Sequence, residues 1–257
     1  MNREDILALP PPKADERLHY GSDAQQFGDL RIPHGNKGPH PLVVFLHGGF
    51  WRAKYDLTHA GHICAALAAK GVATWNLEYR RVGNPGGGWP GTFEDVNNGF
   101  RFLAQIARRY ALDLNRIAVM GHSAGGQLAL ALAAHQNSIR SAISLAGVLD
   151  LRLAFQLHLS HDAVVEFMGG SPVEVPEHYR EASPAELSLP HVRQLLVHGD
   201  KDDTVPVSFS QSYREAKVKR GEKVEFLELP KDGHYELIDP RSTAWAAIQP
   251  RILDLLV

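Results

Sequence analysis

The stretch that decides the fold is Arg116-Ile-Ala-Val-Met-Gly-His-Ser-Ala-Gly-Gly126. Its apolar run 117–120 is typical of a buried parallel strand, and the Ala- and Leu-rich segment 127–134 is typical of a buried helix. The residues between them fit the pattern G-x-S-x-G, with Ser123 at its centre. A serine on so tight a strand-to-helix turn projects its hydroxyl above the sheet edge, and the flanking glycines let strand and helix pack closely. The stretch therefore predicts a nucleophilic serine at position 123.

The composition favours one α/β domain without a nucleic-acid or membrane partner. The chain has 257 residues, of which 44% are hydrophobic, and can bury a large core. Its formal charge of −2 is spread over mixed acidic and basic residues, so it has no basic face for nucleic acid. The single cysteine, Cys64, cannot form an internal disulfide. No run reaches the roughly 20 apolar residues of a membrane span, and no signal-peptide core is present, so we expect a cytoplasmic protein.

Strands and helices alternate along most of the chain. Residues 1–15 carry three consecutive prolines and are expected to form a poorly ordered lead-in. Two short extended pieces then suggest an antiparallel edge, near 18–20 and 27–32. Buried strands are predicted near 41–47, 72–78, 117–120, 142–146, 194–198 and 223–229. Helices are predicted near 60–70, 93–110, 127–134, 208–220 and 241–256.

This alternation predicts a mostly parallel central sheet with helices on both faces. It is interrupted at about 150–189, where an apolar, helix-like segment is followed by two glycines and a proline-bearing stretch. A segment of this size between two core strands favours a small lid insertion over a second domain. We therefore expect a single domain over residues 1–257.

A serine hydroxyl needs a base to take its proton, and the base needs an orienting carboxylate. In open α/β sheets such groups lie beyond the carboxyl ends of the strands. Asp200, Asp202 and Asp203 follow one late predicted strand, and His234 follows the next. We favour Asp202 as the acid and keep the other two as alternatives. The chain order Ser123, Asp, His is the order of α/β-hydrolase triads.

Two further histidines lie close to this machinery in sequence. His122 precedes Ser123, and we expect it to point away from the nucleophile side because neighbours across a tight turn diverge. His198 ends a predicted strand and is expected to support the loop that carries Asp202. No spacing of His, Asp and Cys residues calls for a metal, so no metal or other cofactor is expected.

The reaction also needs donors for the negative oxygen that develops on an attacked carbonyl. The loop His47-Gly-Gly-Phe-Trp51 follows a buried strand, and its glycines let backbone N–H groups face a ligand. We expect the N–H groups of Gly49, Phe50 and Ala124 to form an oxyanion hole. Four aromatic side chains on loops and in the predicted lid are expected to line the substrate pocket: Trp51, Trp89, Phe155 and Phe167.

Together these motifs resemble the α/β-hydrolase superfamily, and within it the esterase branch similar to hormone-sensitive lipase and to kynurenine formamidase (arylformamidase). The resemblance rests on His47-Gly-Gly-Phe-Trp51, Glu78-Tyr-Arg80, Gly121-His-Ser-Ala-Gly-Gly126, His198-Gly-x-x-Asp202-x-x-Val-Pro206 and Gly233-His234. It implies the α/β-hydrolase fold, the triad of Ser123, Asp202 and His234, and the oxyanion hole named above. Phe50 stands where the lipase-like esterases usually carry a third glycine. The formamidases accept a larger residue there and often follow it with tryptophan, as at Trp51.

Three functions are compatible with these residues. The first is a carboxylesterase that cleaves small esters through an acyl-enzyme, and the second is an arylformamidase-type amidohydrolase acting on N-formylkynurenine-like substrates. The third is a non-catalytic, ligand-binding member of the fold, which predicts a broken triad, whereas every element of the triad is present. We therefore favour the esterase, whose partner is a small-molecule ester or amide, and keep the formamidase as the alternative.

Overall fold

The computed structural model describes residues 5–35 and 37–257. The strands of that part of the chain are β1 (Glu16–His19), β2 (Phe27–Arg31), β3 (His40–Leu46), β4 (Ala73–Leu77), β5 (Leu112–His122), β6 (Ser141–Leu145), β7 (Arg193–Gly199) and β8 (Val224–Leu229). The helices are α1 (Asp5–Ala8), α2 (Gly61–Ala68), α3 (Gly91–Ile106), α4 (Ala124–His135), α5 (Leu151–Gln156), α6 (Ala163–Met168), α7 (Pro176–Ala182), α8 (Ser208–Lys219) and α9 (Thr243–Asp254). Among the described residues, no helix combines the length and apolar character needed to cross a bilayer.

The strands form one sheet in the order β1-β2-β4-β3-β5-β6-β7-β8. The pairs β1/β2 and β2/β4 are antiparallel, and the five remaining pairs are parallel. This arrangement confirms both the predicted antiparallel edge and the mostly parallel sheet. It also places the carboxyl ends of β3, β5, β7 and β8 at one edge, where the loops that carry the predicted site residues begin.

Each face of the sheet buries its own apolar core. Along β5, Val119 belongs to one core, whereas Ala118 and Met120 belong to the other, as the alternation of side chains in a strand requires. Helices α3 and α4 cover the first face, for example through Phe100 and Leu128. Helices α2 and α9 cover the second face. Because both faces are covered, the central strands are buried on both sides and have no solvent-exposed polar face.

The segment before β1 is more ordered than the sequence suggested. Residues 1–4 lie outside the described part of the chain, but Asp5–Ala8 forms the helix α1. The side chain of Ile6 is 2% exposed and belongs to the second core. The carbonyl of Pro12 accepts a hydrogen bond from Arg31 Nη2 at 2.8 Å. The predicted poorly ordered lead-in is therefore wrong for residues 5–15, because an apolar contact and a side-chain donor hold the segment against the body.

The segment between β6 and β7 contains α5, α6 and α7, as expected for an insertion at about 150–189. Asp150 begins α5 by accepting hydrogen bonds from two backbone N–H groups, each at 3.0 Å. The segment is tied to α4, since Gln127 Nε2 donates to the carbonyl of Ala182 at 2.8 Å. Arg52 also forms an ion pair at 2.8 Å with Glu166 of α6. The role of this segment as a lid stays a prediction.

Candidate active site

Ser123 occupies the turn between β5 and α4 in a backbone conformation that few L residues adopt. Its φ is 57° and its ψ is −122°, which is the strained geometry expected at such a turn. The Ser123 N–H donates to the carbonyl of Leu145 at 2.8 Å, which fixes the turn to β6. A Cβ on Gly121 would lie 2.0 Å from the oxygen of Gly125, and one on Gly125 would lie 2.0 Å from that of Leu46. The two glycines are therefore required by the close crossing of strand and helix.

The loops after β7 and β8 bring Asp202 and His234 into contact. His234 Nδ1 donates to Asp202 Oδ2 at 2.7 Å, and both side chains are almost fully buried. The other oxygen of the carboxylate accepts from the N–H groups of Thr204 and Val205 at 2.9 and 2.8 Å. Burial alone would raise the pKa of Asp202, but hydrogen bonds from His198 and His234 hold its pKa well below the ordinary value. The carboxylate is therefore ionised at neutral pH and fixes the orientation of the His234 ring.

The loop that carries Asp202 is supported from beneath by His198. Its Nε2 donates to the carbonyl of Val205 at 2.9 Å and lies 3.3 Å from Asp202 Oδ2. Its Nδ1 lies 2.7 Å from Ser210 Oγ. The prediction that His198 supports this loop is confirmed. The alternative acids, Asp200 and Asp203, are exposed to solvent.

Ser123 and His234 line the same cavity, which has a volume of about 40 Å³. Gly49 and Phe50 also line it, so the glycine loop after β3 faces the serine hydroxyl and the imidazole. The structure thus places four of the predicted site residues around one small space. Ala124 follows Ser123 directly at the start of α4.

The loop after β3 has an unusual backbone conformation beside this cavity. Gly49, Phe50 and Trp51 have consecutive φ values of 112°, 50° and 57°. Successive N–H groups in such turns form concave sites for anions. Among the described residues, no acceptor pairs with the backbone N–H of Gly49, Phe50 or Ala124. These three donors are therefore available to a bound ligand.

A buried charged network supports the base of this loop. His47 Nε2 lies 3.0 Å from Glu78 Oε1, and His47 Nδ1 lies 2.8 Å from the carbonyl oxygen of Gly48. Both ring nitrogens therefore lie within hydrogen-bond distance of an oxygen atom. The guanidinium of Arg81 lies 3.0 Å from the same carboxylate oxygen, and the Leu57 N–H donates to the other at 3.0 Å. Burial alone would raise the pKa of Glu78, but His47 and Arg81 hold its pKa below the ordinary value.

Tyr79 adds a second support to the same loop. Its hydroxyl donates to the carbonyl of His47 at 2.6 Å, and its ring stacks on the His47 ring at 4.3 Å between centroids. Glu78 and Tyr79 therefore hold His47, where the loop that carries Gly49 and Phe50 begins, whereas Arg80 pairs with Asp95. Sequence reasoning gave these residues no role. The sequence feature that could have indicated this role is the charged residue Glu78 at the end of a predicted buried strand.

Replacing Glu78 by glutamine is expected to destabilise the fold by about 3–5 kcal/mol, because the buried guanidinium of Arg81 loses its counter-charge. The side chains of His47, Arg81 and Glu78 are 0%, 3% and 1% exposed, so water cannot compensate for that loss. The measurement is the free energy of unfolding in urea, with the exposed Glu94→Gln as the matched control. A loss below about 1 kcal/mol, the range of an exposed pair, would contradict this role for the network.

Two more histidines, His59 and His122, line the cavity, and the predicted orientation of His122 is wrong. His122 lines the cavity, and its Nε2 donates to the carbonyl of His234 at 3.0 Å. The prediction that it points away from the nucleophile side is wrong, because its ring packs 4.4 Å from the His234 ring. His59 Nε2 accepts from the Gly48 N–H at 3.3 Å, and burial lowers the pKa of His59 to about 3. Its ring is therefore neutral near pH 7 and able to accept this bond.

The predicted pocket of aromatic side chains requires a correction. Trp51 is 2% exposed, stacks on Phe167 at 4.6 Å, and donates from Nε1 to Gln127 Oε1 at 2.9 Å. Trp89 and Phe155 are partly buried and pack against the same core. None of these four aromatic residues is a wall of the cavity at Ser123. The left-handed turn after Gly49 directs Trp51 inward, where it joins the predicted lid to the body.

The sheet order, the strained serine after β5 and the Asp202–His234 pair after β7 and β8 define a member of the α/β-hydrolase superfamily. Residues 29–216 match the model of the BD-FAE family, and the chain belongs to this family. The resemblance to the esterase branch of the superfamily is thereby confirmed.

The comparisons with individual proteins agree with this assignment. Esterase LipC of Mycobacterium tuberculosis is 28% identical over 248 residues, which are 88% of this chain and 61% of that protein. A probable isoprenylcysteine alpha-carbonyl methylesterase of Arabidopsis thaliana, ICMEL1, is 24% identical over 250 residues, with 88% and 52% of the two chains covered. The chain therefore spans between half and two thirds of the length of these relatives.

Among solved structures, Esterase B from Lactobacillus rhamnosis superposes with a TM-score of 0.83. It shares 16% sequence identity, and the superposition covers 98% of this chain and 89% of that chain. At this level of identity the likeness shows the fold alone. The predicted α/β-hydrolase fold is confirmed by it.

Proposed function

We propose that this protein is a serine hydrolase that cleaves small carboxylic esters through a covalent acyl-enzyme. The observation that carries the proposal is the 2.7 Å bond between His234 Nδ1 and Asp202, made at the cavity that Ser123 also lines. Because Nδ1 donates to the carboxylate, Nε2 of the neutral ring is the acceptor left for the serine proton. The esterase and methylesterase named among the relatives support the same chemistry.

The reaction begins when Ser123 Oγ attacks the carbonyl carbon of the ester and His234 Nε2 takes the hydroxyl proton. The carbonyl oxygen then carries the negative charge and is bound by the N–H groups of Gly49, Phe50 and Ala124. Each such donor is worth about 2.7–4 kcal/mol of transition-state stabilisation in comparable hydrolases. Asp202 stabilises the imidazolium that forms on His234.

The tetrahedral intermediate collapses when the imidazolium gives its proton to the leaving alkoxide, which departs as an alcohol. Water then attacks the acyl-enzyme with His234 as the base, and the second intermediate breaks to release the carboxylic acid and restore Ser123. Every proton transfer uses the same ring nitrogen. The residues of the chain therefore supply nucleophile, base and oxyanion donors for both halves of the reaction.

Arylformamidase activity is the second candidate function, and the small size of the cavity is compatible with it. A cavity of about 40 Å³ suits a formyl group as well as a short acyl group. The same residues would attack a formamide carbonyl, with an aryl amine as the leaving group. The similarity to the formamidases at Phe50 and Trp51 gives this function little support, because Trp51 is buried against Phe167. A non-catalytic role is disfavoured because all three triad residues are present.

The two candidates are separated by comparing kcat/KM for p-nitrophenyl acetate and for N-formylkynurenine, with the Ser123→Ala variant as the blank. The ester is expected to be hydrolysed with the higher kcat/KM. A higher value for N-formylkynurenine would replace the esterase proposal by the formamidase one. Hydrolysis of neither substrate above the blank would overturn both and favour a binding function.

A further inference from the structure

The segment that carries α1 reaches the cavity beside Ser123. Leu7, a residue of this helix, is one of the walls of that cavity, together with Phe50, Tyr55 and Tyr235. These four side chains are apolar or aromatic, whereas Ser123 and His234 supply the reactive groups. The cavity therefore has an apolar side, to which Leu7 contributes.

The position of Leu7 is fixed by contacts of residues before and after it in the sequence. Ile6 is 2% exposed and belongs to the same apolar core as Leu237 and Ile238. On the other side, the carbonyl of Leu9 accepts from His62 Nε2 at 3.2 Å. These contacts hold α1 over the cavity.

The following prolines continue this attachment. Pro11 packs so closely on α2 that a Cβ on Gly61 would lie 2.4 Å from Pro11 Cβ. Arg31 Nη2 donates to the carbonyl of Pro12 at 2.8 Å. These contacts fix the segment in place as one side of the site, although it is far from Ser123 in the sequence.

The cavity is small enough to discriminate between acyl groups. Its volume is about 40 Å³. A single water molecule needs roughly 10–15 Å³ by a comparable measure, so the space admits a group of only a few heavy atoms. A longer aliphatic chain would meet Leu7.

The small cavity suits the part of the substrate that stays on the enzyme. In the acyl-enzyme mechanism the alcohol must leave to solvent, and water must enter in its place, before the acyl group is released. The leaving group therefore needs an open path, whereas the acyl group remains bound to Ser123 Oγ until the second step.

We propose that Leu7 limits the acyl group of the substrate to a short chain by closing the cavity beside Ser123. This inference rests on the proposed function and names the substrate class as esters of short-chain carboxylic acids. Leu7 is a specificity-determining residue in this role, because it touches the acyl group and takes no part in proton transfer.

The test measures kcat/KM for p-nitrophenyl acetate, butyrate and hexanoate with the unaltered protein and three variants. Leu7→Ala is expected to raise the hexanoate-to-acetate ratio by about tenfold or more, since each methylene accepted by an apolar pocket is worth at least that factor. Leu7→Trp is expected to lower the butyrate-to-acetate ratio. Leu9→Ala, in the same segment but 38% exposed, serves as the matched control and is expected to leave both ratios unchanged.

Unchanged ratios in both Leu7 variants, with hydrolysis still dependent on Ser123, would overturn the role of Leu7 and leave the esterase proposal intact. Hydrolysis that persists in Ser123→Ala would overturn the esterase proposal itself. A second series with 1-naphthyl acetate varies the alcohol at a constant acyl group. If Leu7→Ala changes the preference between the two acetates and leaves the acyl series unchanged, the cavity holds the alcohol and the acyl assignment is wrong.

Discussion

Replacing Ser123 by alanine is expected to lower kcat for p-nitrophenyl acetate by about six orders of magnitude, the loss that removal of the nucleophile causes in a well-studied serine hydrolase. Without the hydroxyl no acyl-enzyme forms, and His234 has no proton to accept. The fold is expected to persist, because the hydrogen bonds that fix this turn are made by the Ser123 backbone. The measurement is the steady-state rate together with the urea midpoint of unfolding.

Ser144→Ala is the matched control for this variant. Ser144 is a fully buried serine in β6, and its hydroxyl has no hydrogen-bond partner among the described residues. It does not line the cavity at Ser123. Its replacement is expected to leave kcat unchanged. A Ser123→Ala protein that keeps its rate, or a Ser144→Ala protein that loses it while folded, would show that another group performs the attack.

The second large effect is expected for Asp202→Asn, with a fall in kcat of about 10⁴-fold. Asparagine can keep an oxygen for the N–H groups of Thr204 and Val205, so the loop is expected to hold its shape. Its NH₂ group, however, would replace the oxygen that accepts from His234 Nδ1 at 2.7 Å. The ring would then carry its proton on Nε2, the nitrogen proposed to take the Ser123 proton, and could not act as the base.

The controls for the acid are its two neighbours in the same loop. Asp200→Asn and Asp203→Asn change the charge by the same amount at exposed positions. Both are expected to keep kcat close to that of the wild type. The assignment of Asp202 would fail if Asp203→Asn were the crippling variant while Asp202→Asn retained its rate.

The sheet could be predicted from the sequence because its signals are local. Apolar strands, the glycines around Ser123 and the break after β6 are all features of short segments. The main error in extent was at β5, predicted at 117–120 and observed at Leu112–His122. The first half of this strand carries polar side chains such as Asp113 and Asn115, and so it lacks the apolar run on which the prediction relied.

The reactive residues of the candidate site could be predicted from the sequence, but the residues that line its cavity could not. The chain order of Ser123, Asp202 and His234 follows from where strands end, which the sequence indicates. The walls of the cavity depend on how segments distant in sequence pack together. For this reason the sequence did not predict that Trp51 is buried or that Leu7 lines the cavity. No periodicity in residues 5–15 indicates that their helix reaches the cavity.

The central claim is that His234 activates Ser123, and covalent labelling with an aryl phosphonate ester tests it most directly. The serine oxygen forms a bond to phosphorus, the aryl oxide leaves, and the product resists hydrolysis. Intact-mass and peptide analysis are expected to find one phosphonyl group, on Ser123, with a labelling rate that falls by orders of magnitude in His234→Ala. Modification at another residue, or labelling of His234→Ala at the wild-type rate, would contradict the account.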